Sequence, residues 1–207
     1  MPKILGPSMA DAFALCDFLS RLFAAPPDTD FVRSCRNGAG GRLLAELADE
    51  EALRPAIQRM TAALAGPDDE QSVSKRIGQA YTLLFTGVAG PNTVSPYASA
   101  HLCGRLFGEA TGRMDQILTT FGLAVVAEYR EPADHLAIQL AVLRELLRRD
   151  DLAEAFQFRD QHLGNWVPAF RDLCLTRDPS GFYAGAAVVL AAGVCSGQTS
   201  LPYVKAA

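Results

Sequence analysis

The stretch Glu131-Pro132-Ala133-Asp134-His135-Leu136-Ala137-Ile138-Gln139-Leu140-Ala141-Val142-Leu143-Arg144-Glu145-Leu146-Leu147 decides the fold. Leu136, Leu140, Leu143 and Leu147 form one stripe at helical spacing, and Ile138, Val142 and Leu146 form a second beside it. Together they leave little polar face, which predicts a central helix. Pro132 stands where such a helix would begin, and a proline there loses nothing, because its missing N–H would have been unpaired anyway. Asp134 and His135 then fall in the first turn. A carboxylate is favoured at that end of the helix dipole, and an imidazole changes charge most easily near neutral pH. Arg144, Arg148 and Arg149 gather toward the other end. The segment predicts a polar spot on an otherwise apolar helical surface.

Outward from it, nearly every segment reads as helix. Ser8 and Asp11 form a capping-box pattern ahead of Phe13, Cys16, Leu19 and Phe23. Pro26-Pro27-Asp28 stops that helix, and Thr29 or Asp30 can cap a short successor through Arg36. Gly38, Gly40 and Gly41 read as a loop. Further helices follow on Leu43–Leu47 and Ala52–Leu64, and a long one starts at Asp68 or Asp69 and ends at Gly87. The main irregular loop is expected over 90–97. Helices are expected over 100–107 and 114–121 with Gly122 as a C-cap, then over 151–163, 164–176 and 179–196. Leu123–Val126 is the one short β-like run. Loops are short and punctuated by Gly or Pro, as in a compact helical bundle. The expectation is a single all-α domain of about ten helices over residues 1–207, with a weak seam near 86–96.

Composition narrows the function. Of 207 residues, 49% are hydrophobic and 20% charged, a globular mixture. A net charge of −4 argues against nonspecific nucleic-acid binding, which runs on clustered Lys and Arg. Five scattered cysteines form no CxxC pair, so neither a zinc site nor a thioredoxin-like motif is suggested. They read as buried or half-buried thiols in a reducing compartment. His101, His135 and His162 stand in no HxxxH or HExxH arrangement, and there is no GxSxG elbow. No signal peptide or membrane span is read: the longest apolar run, Tyr183 through Cys195, falls short of the ~20 residues a span needs. A cytoplasmic protein is expected.

Three more constellations stand out. Tyr81-Thr82-Leu83-Leu84-Phe85 places Tyr81 and Phe85 four apart, a core pair or the wall of a groove. Ser95-Pro96-Tyr97-Ala98-Ser99 opens a helix or sets Tyr97 and Ser99 at a groove's rim. His162-Leu163-Gly164-Asn165-Trp166 carries the single tryptophan, which shares a face with Phe170 in a core-packing role.

Taken together, the order YxxLF, a Gly-rich loop, SPYxS, EPxDHL with a leucine-rich helix, HLxxW and a terminal helix bearing Phe182-Tyr183 resembles the TorD/DmsD/NarJ group of redox-enzyme maturation chaperones. The likeness runs over about residues 75–196, with EPxDHL its most specific element. It implies an all-helical, non-enzymatic protein. Such a protein binds the N-terminal signal region of a molybdoenzyme precursor, often a twin-arginine signal, and holds it until the cofactor is inserted. Carried over by position, Glu131, Pro132, Asp134 and His135 belong to the signal-binding region, Pro96, Tyr97 and Ser99 line the same area, and Tyr81 and Phe85 lie behind. The group also implies weak guanine-nucleotide binding, no other cofactor, and a monomer or domain-swapped dimer. Two departures stand out: Ala98 replaces an acid usual before the serine, and Gln139 replaces a usual Glu. The competing reading is a small helical hydrolase with His135 as general base.

Overall fold

The computed structural model describes residues 9–195. Eleven α-helices follow in order: α1 Met9–Ala24, α2 Thr29–Asn37, α3 Ala39–Ala48, α4 Arg54–Leu64, α5 Glu70–Phe85, α6 Ala98–Leu102, α7 Glu109–Thr120, α8 Leu136–Arg148, α9 Leu152–Phe158, α10 Val167–Arg177 and α11 Phe182–Cys195. Gly90–Asn92 makes one 3-10 turn and Arg159–Leu163 one π turn. Among the described residues there is no strand, and the single β-type pairing is an isolated antiparallel bridge between Tyr97 and His135. No helix among them is long and apolar enough to cross a membrane.

The central helix is α8. Both of its apolar stripes are buried, and so is Gln139 between them. Its antiparallel neighbour is α1: Ser20 Oγ donates to the Ala137 carbonyl at 2.9 Å, while Arg144, a turn and more further along α8, pairs with Asp17 one turn back on α1. Behind them, Phe23, Tyr81, Phe85, Phe170 and Tyr183 form one aromatic cluster with ring centroids 5.1–6.5 Å apart. Edge-on and offset ring pairs of this kind add to the burial of their area. Tyr81 and Phe85 are therefore core, as are Trp166 and Phe170. Cys16, Cys35 and Cys174 are buried, and burial pushes the thiols of Cys16 and Cys35 up to about 12.

Helix ends follow local chemistry. Asp28 and Asp69 accept from the backbone N–H groups of Phe31 and Ser72 and cap α2 and α5. Gly122, at φ +64, terminates α7, and the Leu123 N–H reaches back to the Leu118 carbonyl at 2.8 Å. The proposed Ser8 cap lies outside the described residues.

Four expectations are corrected. Gly40 and Gly41 lie inside α3 rather than in a loop, because a Cβ on Gly41 would sit 2.7 Å from the Cys35 carbonyl oxygen: small residues let α2 and α3 approach. The helix expected over 100–107 is α6, which stops at Leu102, and α7 begins at Glu109, five residues earlier than expected. Residues 121–135 form an irregular segment longer than the 90–97 loop. Finally, α8 starts at Leu136, not at Pro132. The Pro132 carbonyl instead accepts the His135 N–H at 2.9 Å in a tight turn, and the Tyr97–His135 bridge pulls the chain extended just before the helix.

Candidate functional site

The bridge fixes the corner where the motif residues meet. Leu136 N–H donates to the Pro96 carbonyl at 2.8 Å, and Ala98 N–H donates to the Asp134 carbonyl at 3.2 Å. Segment 95–99 is thereby laid alongside 131–136.

Asp134 is fully buried, and neither of its carboxylate oxygens is free. One accepts the backbone N–H of Ser99 at 2.8 Å, and the other accepts the hydroxyl of Thr111 at 2.7 Å. The acid thus caps α6 from across the corner, since Ser99 is its second residue. It also ties α7 to the body through Thr111. Its backbone carbonyl takes a further bond from Gln139 Nε2 at 2.7 Å, and Gln139 Oε1 faces the indole N–H of Trp166 at 3.4 Å. The amide is fitted to this place: it donates on one side and accepts on the other, which an ionised glutamate cannot do. Ala98, where an acid was usual, is buried as well.

His135 is the N-cap of α8. Its Nδ1 accepts the Ala137 N–H at 3.1 Å and lies 3.1 Å from the Tyr129 hydroxyl. That arrangement needs Nδ1 unprotonated. Burial drives the imidazole pKa down to about 4, against the opposing pull of Glu131 and Asp134, so the ring is neutral at physiological pH. Only 2% of the residue is exposed. A general base must reach the proton it removes, and in this arrangement nothing of substrate size reaches His135.

Tyr97 and Tyr129 flank the imidazole edge-on, with centroids 5.0 and 5.8 Å away. The Tyr97 hydroxyl donates to Glu131 Oε2 at 2.5 Å. Burial first, and then this carboxylate, hold its phenol well above the ordinary range. Tyr129, whose one hydroxyl proton serves His135 Nδ1, stands 3.4 Å from the Ala24 carbonyl, and Tyr81 donates to that of Phe23 at 3.1 Å, which satisfies one of the carbonyls that end α1.

Two clefts flank α7. The larger, about 500 Å³, is walled by Tyr97, Glu131, Pro132 and Ala133 on one side and by Thr111 and Asp115 of α7 on the other. Arg130, Leu106 and Phe107 stand at its edge. The smaller, about 290 Å³, lies on the opposite side of α7 among Ala98, Leu102, Ala110 and Met114, under Arg113, Gln161, His162 and Asn165. Of the residues placed in the site by sequence, Tyr97, Glu131 and Pro132 face the larger cleft. Asp134, His135, Pro96 and Ser99 hold the wall behind it. Tyr81 and Phe85 lie deeper, in the core. Thr111, Asp115, Leu106, Phe107 and Tyr129 were not singled out beforehand. Leu106, Phe107 and Tyr129 lie in irregular segments where no periodicity marks a face, and Thr111 and Asp115 lie on the polar side of α7, away from its apolar stripe of Ala110, Met114 and Leu118. The one available signal was Tyr129, an aromatic two residues ahead of the motif. Among the described residues no cluster of His, Cys, Asp and Glu could hold a metal ion.

The family model described as nitrate reductase delta subunit matches residues 46–172. The TorD chaperone of Vibrio vulnificus is 32% identical over 188 residues, covering 84% of this chain and 87% of that protein. The TorD chaperone of Vibrio cholerae is 30% identical over 197 residues, covering 89% and 88%. In fold, the chain is similar to the crystal structure of a protein assigned to redox-enzyme maturation in Archaeoglobus fulgidus, with TM-score 0.53, 20% identity, and 91% of this chain and 96% of that one covered.

Proposed function

This chain belongs to the TorD/NarJ family of redox-enzyme maturation chaperones, and we propose that its larger cleft holds the N-terminal signal region of a molybdoenzyme precursor. The observation that carries this reading is the wall built by the bridge. Tyr97 and Pro132 offer apolar surface beside Glu131, which spends one carboxylate oxygen on Tyr97 and, among the described residues, has no hydrogen-bond partner for the other. A signal region presents an apolar stretch next to arginine, and the cleft has a place for each. Burying a few hundred Å² of apolar surface at ~25 cal/mol per Å² is worth several kcal/mol before the cost of ordering the peptide. Glu131 and Asp115 add orientation more than affinity. No bond is made or broken, and none of the site's groups is arranged to do so.

The test is capture of a molybdoenzyme precursor, alongside the same precursor lacking its signal region. Retention of the first and loss of the second is expected. Equal capture of both, or of neither, would remove the cleft from this role.

A further inference from the structure

Between α6 and α7 the chain runs from Cys103 to Gly108 without forming an element, and its surface is unusual. Seven large hydrophobic residues are exposed among the described residues, and three of them are Leu102, Leu106 and Phe107. The others are scattered singly, which is ordinary for a soluble protein. Phe107 is 75% exposed, the most exposed of the seven. Its backbone sits at φ +57, the left-handed region that glycine and asparagine enter easily and that a bulky aromatic residue does not. The chain therefore holds a phenyl ring in water, in a conformation that disfavours it, at the lip of the larger cleft. Among the described residues no ring or cation packs on the Phe107 side chain in return.

We propose that Leu106 and Phe107 form an apolar jaw that closes against Tyr97 and Pro132 on the apolar stretch of an arginine-bearing leader peptide. This rests on the cleft reading above and adds which residues grip the apolar half of the ligand. Charge complementarity selects that occupant. Asp115 and Glu131 line the same cleft with a single cation, Arg130, and none of the three enters an ion pair among the described residues. The cleft therefore carries an excess of negative charge next to an apolar lip. A peptide with arginine directly beside leucines complements both features. A purely apolar partner would leave the two acids unanswered, and a purely basic one would leave the ring in water. Left-handed backbone at a ligand clamp is where strain of this kind persists.

The test uses the whole protein and two synthetic peptides. One has two arginines followed by a leucine-alanine run. The other has the same arginines followed by a serine-glycine run. Phe107→Asn suits the left-handed backbone while removing the ring, so the fold is kept and the melting temperature is unchanged or raised. Calorimetry is expected to show the leucine-alanine peptide bound about tenfold more weakly by Phe107→Asn than by the wild type, the loss typical of an interface anchor. The serine-glycine peptide should be bound equally by both. Leu106→Ser should act in the same direction. If the wild type binds the leucine-alanine peptide and Phe107→Asn binds it as well, the jaw is refuted while the cleft stands. Should the wild type bind neither peptide, the cleft and the jaw fall together. A concentration-dependent dimer that Phe107→Asn abolishes, with peptide affinity unchanged, would assign the ring to a second copy of this chain and overturn the proposal.

Discussion

Replacing Asp134 tests whether the acid organises the corner. Its carboxylate serves two donors, the Ser99 N–H at 2.8 Å and the Thr111 hydroxyl at 2.7 Å. Asp134→Ala strands both. The Ser99 amide lies in the interior and pays nearly the full cost of an unmet buried donor, about 1–3 kcal/mol. Thr111 is only half-buried, and its hydroxyl can turn to water at a cost of about 1 kcal/mol or less. Against this, removing a buried acid that has no cation beside it relieves part of its desolvation. The net expectation is a loss of about 2–3 kcal/mol. Asp134→Asn keeps an oxygen for Ser99 and offers an N–H to the Thr111 oxygen, so both bonds survive in weaker, uncharged form, at about 1 kcal/mol. Denaturant unfolding followed by circular dichroism gives both numbers, and amide exchange should show α6 opening first in Asp134→Ala. If the alanine variant loses under ~0.5 kcal/mol, or the asparagine variant loses as much as the alanine one, the capping argument is refuted.

Further expectations follow from the same geometry. His135 has a folded-state pKa lowered from 6.5 to about 4; below pH 6.5 the unfolded chain takes up a proton that the folded chain refuses. Its contribution is therefore complete above pH 6.5, falls by up to about 3 kcal/mol as pH drops toward 4, and then levels off. Unfolding free energies between pH 6.5 and 5.5, a range above most carboxylate titration, should lose most of this slope in His135→Asn; an unchanged slope would place its origin elsewhere. Gly185→Ala sets a Cβ 2.5 Å from the Ala56 carbonyl oxygen, which is backbone and cannot turn aside, whereas Gly193→Ala meets the tip of Leu15 at 2.6 Å. The first should cost about 2–3 kcal/mol and the second clearly less, and equal melting temperatures for the two would contradict the α4–α11 packing. For the leader peptide, Glu131→Gln should weaken binding a few-fold at low salt, with the difference closing at high salt, because exposed charges are screened. A salt-independent effect of Glu131→Gln would argue that it shapes the wall without meeting the ligand.

Much of the fold was legible because helices announce themselves by period and punctuation. The two leucine stripes of α8, the Tyr81–Phe85 and Trp166–Phe170 pairs, and the Asp69 and Gly122 boundaries all rest on contacts within a few residues of one another. The helix start at Pro132 was misplaced because the same local signals, a proline followed by an acid, fit a tight turn as well as a first helical turn. What decides between them is Pro96, thirty-odd residues away, whose carbonyl takes the Leu136 N–H. Gly40 and Gly41 misled for a related reason, since glycine serves both a loop and a close helix crossing. The site divides along the same line. Tyr97, Glu131 and Pro132 could be named from the motif, but Leu106, Phe107 and Asp115 reach the cleft only through the tertiary placement of α7, and no window of sequence contains that placement.

The burial of Asp134 and His135 changes what the EPxDHL motif means for recognition. An acid and an imidazole side by side invite a direct role, either gripping arginine or moving a proton. Both side chains instead spend their hydrogen-bonding capacity inward: the acid on Ser99 and Thr111, the imidazole on Ala137 and Tyr129. The bonds of Asp134 join segments 23 and 35 residues apart, that of Ala137 starts α8, and that of Tyr129 fastens the 129–135 turn; the Asp134–Thr111 bond among them ties the 131–133 wall to α7 and so limits the width of the larger cleft. Exposed acids beside a flexible lip would suffice to attract an arginine. Holding a greasy segment in register needs a floor that does not move, and a buried network with few alternative pairings supplies one. On the proposed cleft reading, the parts of the motif that would meet a ligand are Glu131 and Pro132, and the Asp134-His135 pair that follows keeps them in place.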